Sequence, residues 1–301
     1  MKILLLGKDG QVGWELQRAL AVLGEVVALN RHPAPTIYGE LSGDLTNLQR
    51  LRDTIRFVAP DVIVNAAAYT TVDKAESERD LALKINAHAC RVMAEEACRI
   101  DALLVHYSTD YVFSGLGTRA WKETDDVAPV NFYGESKLQG EQWIVASGCK
   151  HLIFRTSWVY AARGNNFAKT MLRLARDKQT LNIIADQVGV PTGAELVADI
   201  TVQALQKAQL DPRLCGIYHL APAGETSWHE YATYIIDFAR ASGEQLAVAE
   251  INPIATADYP TPANRPLNSR LDTKKIREAF SLHLPDWQSG VTRMLMEILN
   301  K

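Results

Sequence analysis

A tyrosine and a lysine four residues apart are the first side chains in this sequence whose spacing suggests chemistry. Tyr133 and Lys137 lie in the segment YGESK, and residues four apart share one face of a helix. A neighbouring ammonium lowers the pKa of a phenol towards the range in which it can exchange protons with a ligand. The pair alone is weak evidence, because a chain with 10 tyrosines can contain such a pair by chance.

A hydroxyl residue strengthens this interpretation. Thr109 follows the apolar segment ALLVHYS, a predicted strand, and the carboxyl ends of parallel strands face the crevice in which open α/β sheets bind ligands. We therefore predict that Thr109, Tyr133 and Lys137 form one catalytic set. His106, inside the same strand, is interpreted as a core residue, and the 7 histidines show no metal-ligand spacing.

Glycines near the start of the chain predict a dinucleotide site. Gly7, Gly10 and Gly13 follow the apolar segment KILLL with the spacing GxxGxxG, and a helical pattern begins directly after them. Glycines at such a turn let the backbone approach a pyrophosphate, whose charge is favoured at a helix N-terminus. Gln11 and Val12, within the motif, are assigned to the same site.

The end of the second predicted strand bears on the choice of cofactor. An acid is expected about 20 residues after the glycines when the ribose carries a free 2′-hydroxyl, but Asn30 and Arg31 stand there. An arginine can pair with a 2′-phosphate. We therefore expect NADPH to be preferred and NADH to be usable, the alternative being that Arg31 is only a surface residue.

Short apolar runs alternate with helical patterns, which predicts an α/β fold with a doubly wound parallel sheet. Strands are predicted at 2–6, 25–29, 61–65, 102–108 and 151–155, and helices at 11–23, 48–58, within 75–100, and at 133–146, 167–177, 195–206, 228–241 and 286–299. Residues 1–155 are predicted to form an NAD(P)-binding Rossmann domain, to which part of about 190–220 returns. Residues 156–301 are predicted to form mainly a smaller, discontinuous substrate-binding region.

The composition excludes several classes of protein. A formal net charge of −3 over 301 residues, without blocks of like charge, gives no basic surface for nucleic acid or anionic lipid. The 4 cysteines form no CxxC pair and no disulfide framework. No apolar stretch is long enough for a membrane span or a signal peptide, so we expect a cytoplasmic protein.

Longer segments carry a family resemblance over essentially the whole chain. YSTDYVFSG, VNFYGESKLQGE, FRTSWVYA, GNNFAKTML, DQVGVPTGAEL and RPLNSRLD resemble the dTDP-4-dehydrorhamnose reductases, of the extended, nucleotide-sugar branch of the short-chain dehydrogenase/reductase superfamily. Ser114 departs from the aspartate of that family's pattern, and Asn30 replaces an acid that some members carry.

The resemblance implies reduction of the 4-keto group of dTDP-4-dehydro-β-L-rhamnose to dTDP-L-rhamnose, the last step of dTDP-rhamnose biosynthesis. Tyr133 would supply the proton, Lys137 would hold the nicotinamide ribose, and Thr109 would bond the keto oxygen. Further residues are implied along the cofactor (Asp44, Leu45, Ala67, Ala68, Tyr69, Thr70 and Tyr107) and against the sugar nucleotide (Asp110, Trp158, Asn166 and Arg265). It also implies a homodimer, with Mg²⁺ on Glu15, Glu195 and Glu297.

Other functions stay open at this point. An epimerase of the same branch uses the same three residues with a cofactor that is recycled. A 4,6-dehydratase needs a glutamate after Asp110, where this chain has Tyr111. A non-catalytic NADP-binding protein, such as the regulatory subunit of methionine adenosyltransferase, also resembles this family but has no need for the full catalytic set.

Overall fold

A computed structural model describes residues 1–32, 34–36 and 39–300, with 34–36 and 39 described through their backbone alone. The strands are β1 (Lys2–Leu6), β2 (Glu25–Leu29), β3 (Ala34–Thr36), β4 (Gly39–Leu41), β5 (Val62–Asn65), β6 (Leu103–Thr109), β7 (His151–Thr156), β8 (Val159–Tyr160), β9 (Thr180–Ile184), β10 (Val188–Gly189), β11 (Thr192–Gly193), β12 (Gly216–His219), β13 (Thr226–Ser227) and β14 (Glu250–Ile254). The α-helices are α1 (Gln11–Leu20), α2 (Leu48–Val58), α3 (Val72–Ala75), α4 (Arg79–Leu83), α5 (Ala89–Arg99), α6 (Phe132–Ala146), α7 (Phe167–Asp177), α8 (Ala194–Leu210), α9 (Trp228–Ala241), α10 (Lys274–Phe280) and α11 (Trp287–Leu299).

A six-stranded parallel sheet lies at the centre of the fold, in the order β12-β7-β6-β5-β1-β2. Its strands are almost continuously apolar because helices cover both faces. Residues of α1 and α8 pack on one face, and residues of α2 and α5 pack on the other. The predicted doubly wound parallel sheet is confirmed.

The elements differ from the sequence predictions mainly where local signals are weak. The edge strand β12 has only 4 residues, including a glycine and a histidine, so its sequence has no apolar run that would predict a strand. The single long helix predicted within 75–100 is present as an unbroken run of α4, a π-helical segment Lys84–His88 and α5, and the separate turn α3 precedes it. The extra residue of a π-turn leaves no mark in helical periodicity.

A second apolar core lies beside the sheet. Helices α7, α9 and α11 pack together there, against the parallel pair β9 and β14. Two further pairs have two residues in each strand: β8 pairs with β11, and β10 pairs with β13. No helix in the described part of the chain is both long enough and apolar enough to cross a bilayer.

Candidate active site

The glycine turn between β1 and α1 is closely packed. Gly7 has φ +86°, and a Cβ there would lie 2.7 Å from the Ala67 nitrogen. A Cβ on Gly13 would lie 2.1 Å from the Gly7 oxygen. Gly10 begins α1 without a side-chain cap, so no side chain among the described residues accepts from its first N–H groups. These N–H groups are therefore free to donate hydrogen bonds to an anion, as a pyrophosphate site requires.

The segment after β5 lies directly beside this turn. The Asn65 amide oxygen accepts a hydrogen bond from the Ala67 N–H at 3.2 Å. Asn86, in the π-helical segment, accepts from the Tyr69 N–H at 2.8 Å and donates to the Tyr69 oxygen at 3.0 Å. The sequence analysis missed Asn86, although a buried asparagine in an apolar helical run was a usable signal.

The remaining predicted cofactor residues differ in their burial and in their hydrogen-bond partners. Asp44 accepts from Thr46 and closes its own loop, while Leu45 is buried in the core. Of the others, Gln11, Val12 and Ala68 are half-buried and Thr70 is exposed. The Tyr107 hydroxyl is paired with Thr201 of α8 at 2.8 Å. That ring therefore points away from Tyr133, and the backbone oxygen of this residue faces Lys137.

A carboxylate lies at the carboxyl end of β2, contrary to the sequence analysis. The Asn30 amide nitrogen donates to Asp9 Oδ2 at 2.6 Å. The expectation that no acid faces this strand end is therefore wrong, because Asp9 approaches from the glycine turn rather than from β2. Arg31 is exposed and its Nε contacts the neighbouring His32 at 3.2 Å.

Helix α6 carries the tyrosine and lysine, and its first turn is fixed by two features. The Asn131 side chain accepts from the Gly134 N–H at 2.8 Å and donates to the Asn264 oxygen at 2.7 Å. A Cβ on Gly134 would lie 2.2 Å from the Tyr111 oxygen. The helix therefore packs directly onto the chain that follows β6, which brings Tyr133 to Thr109.

The Thr109 hydroxyl lies beside the Tyr133 phenol. It accepts from the Tyr111 N–H at 3.2 Å and donates to Asp110 Oδ1 at 3.1 Å. Loss of solvation raises the pKa of Tyr133 to about 12, although the Thr109 hydroxyl opposes the shift. The expected lowering of this pKa is therefore wrong for this arrangement, and the phenol keeps its proton at neutral pH.

Lys137 lies one helical turn after Tyr133 and is buried, at 1% exposure. Its Nζ donates to the Tyr107 oxygen at 2.6 Å and lies 3.1 Å from His106 Nε2. Burial lowers the pKa of Lys137. The sequence analysis treated His106 as a core residue, and its contact with Lys137 was missed.

Asp110 is buried next to Thr109. Burial raises the pKa of this carboxyl to about 6, partly offset by hydrogen bonds from Ser269 and Thr109. Its Oδ2 has no hydrogen-bond partner among the described residues. A buried acceptor of this kind is suited to a hydroxyl group of a ligand.

The indole of Trp158 is held in an unusual position. Its backbone has φ +46°, a costly conformation for a bulky residue. The ring stacks on Trp228, with centroids 3.6 Å apart and planes 15° apart. Such strain is found mainly where a site needs a particular side-chain direction.

The other predicted substrate residues are engaged within the protein. Arg265 forms a bidentate ion pair with Asp73, at 3.0 and 2.9 Å. Asn166 caps α7 by accepting from Lys169, and it donates to the Ala161 oxygen and to Gln11 Oε1. Asn166 therefore links α7 to the glycine turn, and Asp73 is a further residue that the sequence analysis missed.

Three predicted metal ligands line one cavity of about 170 Å³ between α1, α8 and α11. Burial and the nearby Glu195 and Glu297 raise the pKa of Glu15. Glu195 is paired with Arg293 at 3.1 Å. No three His, Cys, Asp or Glu side chains of the described residues are close enough to hold a metal ion, so the glutamates of one chain do not fit a Mg²⁺ site.

Comparison with known proteins shows the family of the chain. The family model described as RmlD substrate binding domain matches residues 1–300. The chain is 54% identical over 298 residues to the dTDP-4-dehydrorhamnose reductase of Salmonella typhimurium, covering 99% of this chain and 98% of that protein. The solved dTDP-4-dehydrorhamnose reductase of Clostridium acetobutylicum is 33% identical with a TM-score of 0.86, covering 100% of both chains. That of Bacillus anthracis, solved in complex with NADP, is 33% identical with a TM-score of 0.87, covering 98% of this chain and 99% of that chain. The chain belongs to the dTDP-4-dehydrorhamnose reductase family.

Proposed function

We propose that this protein reduces the 4-keto group of dTDP-4-dehydro-β-L-rhamnose with NADPH, giving dTDP-L-rhamnose. The observation that carries the proposal is that the buried Tyr133 phenol lies beside the Thr109 hydroxyl. It places a proton donor and a second hydroxyl at the carboxyl end of β6, where an α/β sheet binds its ligand. The relatives named above support the substrate.

When bound, NADPH supplies the hydride that the C4 carbon receives. Tyr133 gives its proton to the carbonyl oxygen, and the raised pKa keeps that proton available at neutral pH. The Thr109 hydroxyl donates a hydrogen bond to the same oxygen as negative charge develops there. Lys137, held by the Tyr107 oxygen, orients the nicotinamide ribose.

The glycine turn fits a dinucleotide. The uncapped first turn of α1 accepts the pyrophosphate, and Asn65 holds the neighbouring segment in place. Asp9 and Arg31 face the adenosine ribose with opposite charges. NADPH is therefore favoured less strongly than Arg31 alone would favour it, and NADH is also used.

The sugar nucleotide contacts residues on the other side of the site. The free Oδ2 of Asp110 accepts from a sugar hydroxyl, and Trp158 packs against the sugar nucleotide. Arg265 pairs with the diphosphate and shares its charge with Asp73. In this arrangement residues 1–155 and part of about 190–220 bind NADPH, and the rest of 156–301 mainly binds substrate.

One position favours the reductase over a 4,6-dehydratase. Tyr111 stands where a dehydratase needs a carboxylate, and its ring packs edge-on against Tyr133, 5.7 Å between centroids. An epimerase and a non-catalytic NADP-binding protein differ from a reductase in what they do with the cofactor. An epimerase returns its cofactor to the oxidation state in which it started, and a binding protein leaves both cofactor and sugar unchanged.

A homodimer and a cytoplasmic location remain predictions, as does Mg²⁺ between subunits. Since the glutamates of one chain do not form a metal site, no catalytic role is assigned to a cation. Light scattering with and without a chelator measures both the assembly and its dependence on a metal.

The test of the function is a coupled measurement on the purified protein. NADPH oxidation is followed by absorbance with and without dTDP-4-dehydrorhamnose, and the sugar product is identified by NMR. The proposal predicts one NADPH oxidised for each dTDP-L-rhamnose formed. Oxidation at the same rate without the sugar would refute it.

A further inference from the structure

His106 occupies the centre of β6 and is buried at 1% exposure. Its ring is contacted on both nitrogens: Nδ1 lies 3.1 Å from the Asn65 amide nitrogen, and Nε2 lies 3.1 Å from Lys137 Nζ. Cys90 Sγ lies 3.9 Å from each ring nitrogen. An apolar side chain would fill a strand interior at lower cost, so a histidine here calls for a specific role.

The ring is fixed in one orientation by its partners. The Ala67 N–H donates to Asn65 Oδ1 at 3.2 Å, which turns the amide nitrogen of Asn65 towards His106 Nδ1. Nδ1 is therefore the acceptor and the neutral ring carries its proton on Nε2, so the hydrogen bond with Lys137 is one that Nε2 donates to the uncharged Nζ amine. Asn65 belongs to β5 and pairs directly with His106 in the sheet, so the contact rests on rigid backbone.

This contact restricts where the lysine can point. The Nζ atom of a lysine is tetrahedral, and one of its four directions is taken by the bond to its own side-chain carbon. His106 Nε2 and the Tyr107 oxygen occupy two more. A single direction is left for a ligand, whereas a lysine on an open helix face has three.

We propose that His106 is a positioning residue that aims the Lys137 amine at the nicotinamide ribose. The proposal rests on the proposed NADPH site. His106 itself touches neither substrate nor cofactor, and it acts only through Lys137. Removing its Nε2 should therefore cost NADPH affinity as well as turnover, and only while Lys137 is present.

Two substitutions separate this role from packing. In His106→Gln the side-chain amide reaches the position of Nε2, so the contact with Lys137 is kept. In His106→Asn the amide reaches only the position of Nδ1, so the contact with Asn65 is kept and the one with Lys137 is lost. The readouts are NADPH affinity by isothermal titration calorimetry, kcat, KM for NADPH and thermal unfolding.

We expect His106→Asn to weaken NADPH binding about tenfold, as loss of one hydrogen bond to a charged or buried group implies. His106→Gln should bind NADPH within about threefold of wild type. In a Lys137→Met background, His106→Asn should change NADPH affinity less than about twofold.

Three results would overturn the proposal. They are an unfolded His106→Asn protein, equal loss of NADPH affinity in the Asn and Gln variants, and an effect of unchanged size in the Lys137→Met background. If instead Lys137→Met alone leaves NADPH affinity unaltered, the proposed cofactor role of Lys137 fails, and with it the basis of this inference.

Discussion

Substitution of Asp9 by asparagine should raise the preference for NADPH over NADH. The Asp9 carboxylate lies 2.6 Å from the Asn30 amide, at the strand end that faces the adenosine ribose in this fold. There it can accept from a 2′-hydroxyl and repels a 2′-phosphate. Asp9→Asn keeps the size of the side chain, removes the repulsion of a 2′-phosphate and leaves only a neutral amide oxygen to accept from a 2′-hydroxyl.

The size of the effect follows from the charges. Two unit charges about 6 Å apart interact by about 0.7 kcal/mol in water, and a 2′-phosphate carries nearly two. Salt at physiological strength screens about half of this interaction, while a lower local dielectric strengthens it. We therefore expect the kcat/KM ratio of NADPH to NADH to rise about 3- to 10-fold.

The assay compares kcat/KM for the two nucleotides at low and at physiological salt. Asp101→Asn is the matched control, because Asp101 is an exposed carboxylate that precedes β6 and therefore lies at the amino ends of the strands, opposite the carboxyl ends near Asp9. The increase should be larger at low salt. An unchanged ratio in Asp9→Asn, or an equal change in Asp101→Asn, would show that Asp9 does not face the ribose.

Other predictions address the acid, the packing of α6 and the pH dependence of stability. Tyr133→Phe should lower kcat about 10²- to 10⁴-fold, the usual share of general acid catalysis, without changing NADPH affinity in calorimetry; activity within threefold of wild type would exclude the phenol as the acid. Gly134→Ala should lower the free energy of unfolding in urea by about 1–3 kcal/mol or more, because its Cβ would lie 2.2 Å from the Tyr111 oxygen; an unchanged midpoint would contradict this close packing. Burial alone would raise the pKa of Glu96, but hydrogen bonds from Arg56, Arg99 and Arg52 lower it to about 2. The stability that these ion pairs give the folded protein is therefore fully present above about pH 4.5 and is lost as the pH falls towards 2. The stability difference between wild type and Glu96→Gln should shrink over that range, and a constant difference would argue against the ion pairs.

The parts of the site that depend on local spacing could be predicted from the sequence. The glycine turn follows from a strand, three glycines and a helix in succession. The approach of Tyr133 to Thr109 could be predicted because Tyr133 shares a helix face with Lys137 and Thr109 stands at the carboxyl end of a strand. Such patterns depend on the types and spacing of residues close together in the chain, so one sequence is enough to recognise them.

Contacts between distant segments could not be predicted in this way. Asp9 is next to Gly10 in sequence, but only the packed structure places it against Asn30. The raised pKa of Tyr133 likewise follows from burial, which the spacing of two residues does not reveal. The lysine was expected beside the phenol, whereas the fold gives it His106 and a backbone oxygen as partners.

The most direct test of the reductase assignment is isotope transfer from NADPH deuterated at the reactive carbon of the nicotinamide. The protein is incubated with this cofactor and dTDP-4-dehydrorhamnose, and the sugar product is examined by NMR and mass spectrometry. The account predicts dTDP-L-rhamnose with one deuterium at C4 and an equal amount of NADP⁺. A sugar that keeps its 4-keto group and carries no deuterium, with the cofactor still reduced, would contradict it.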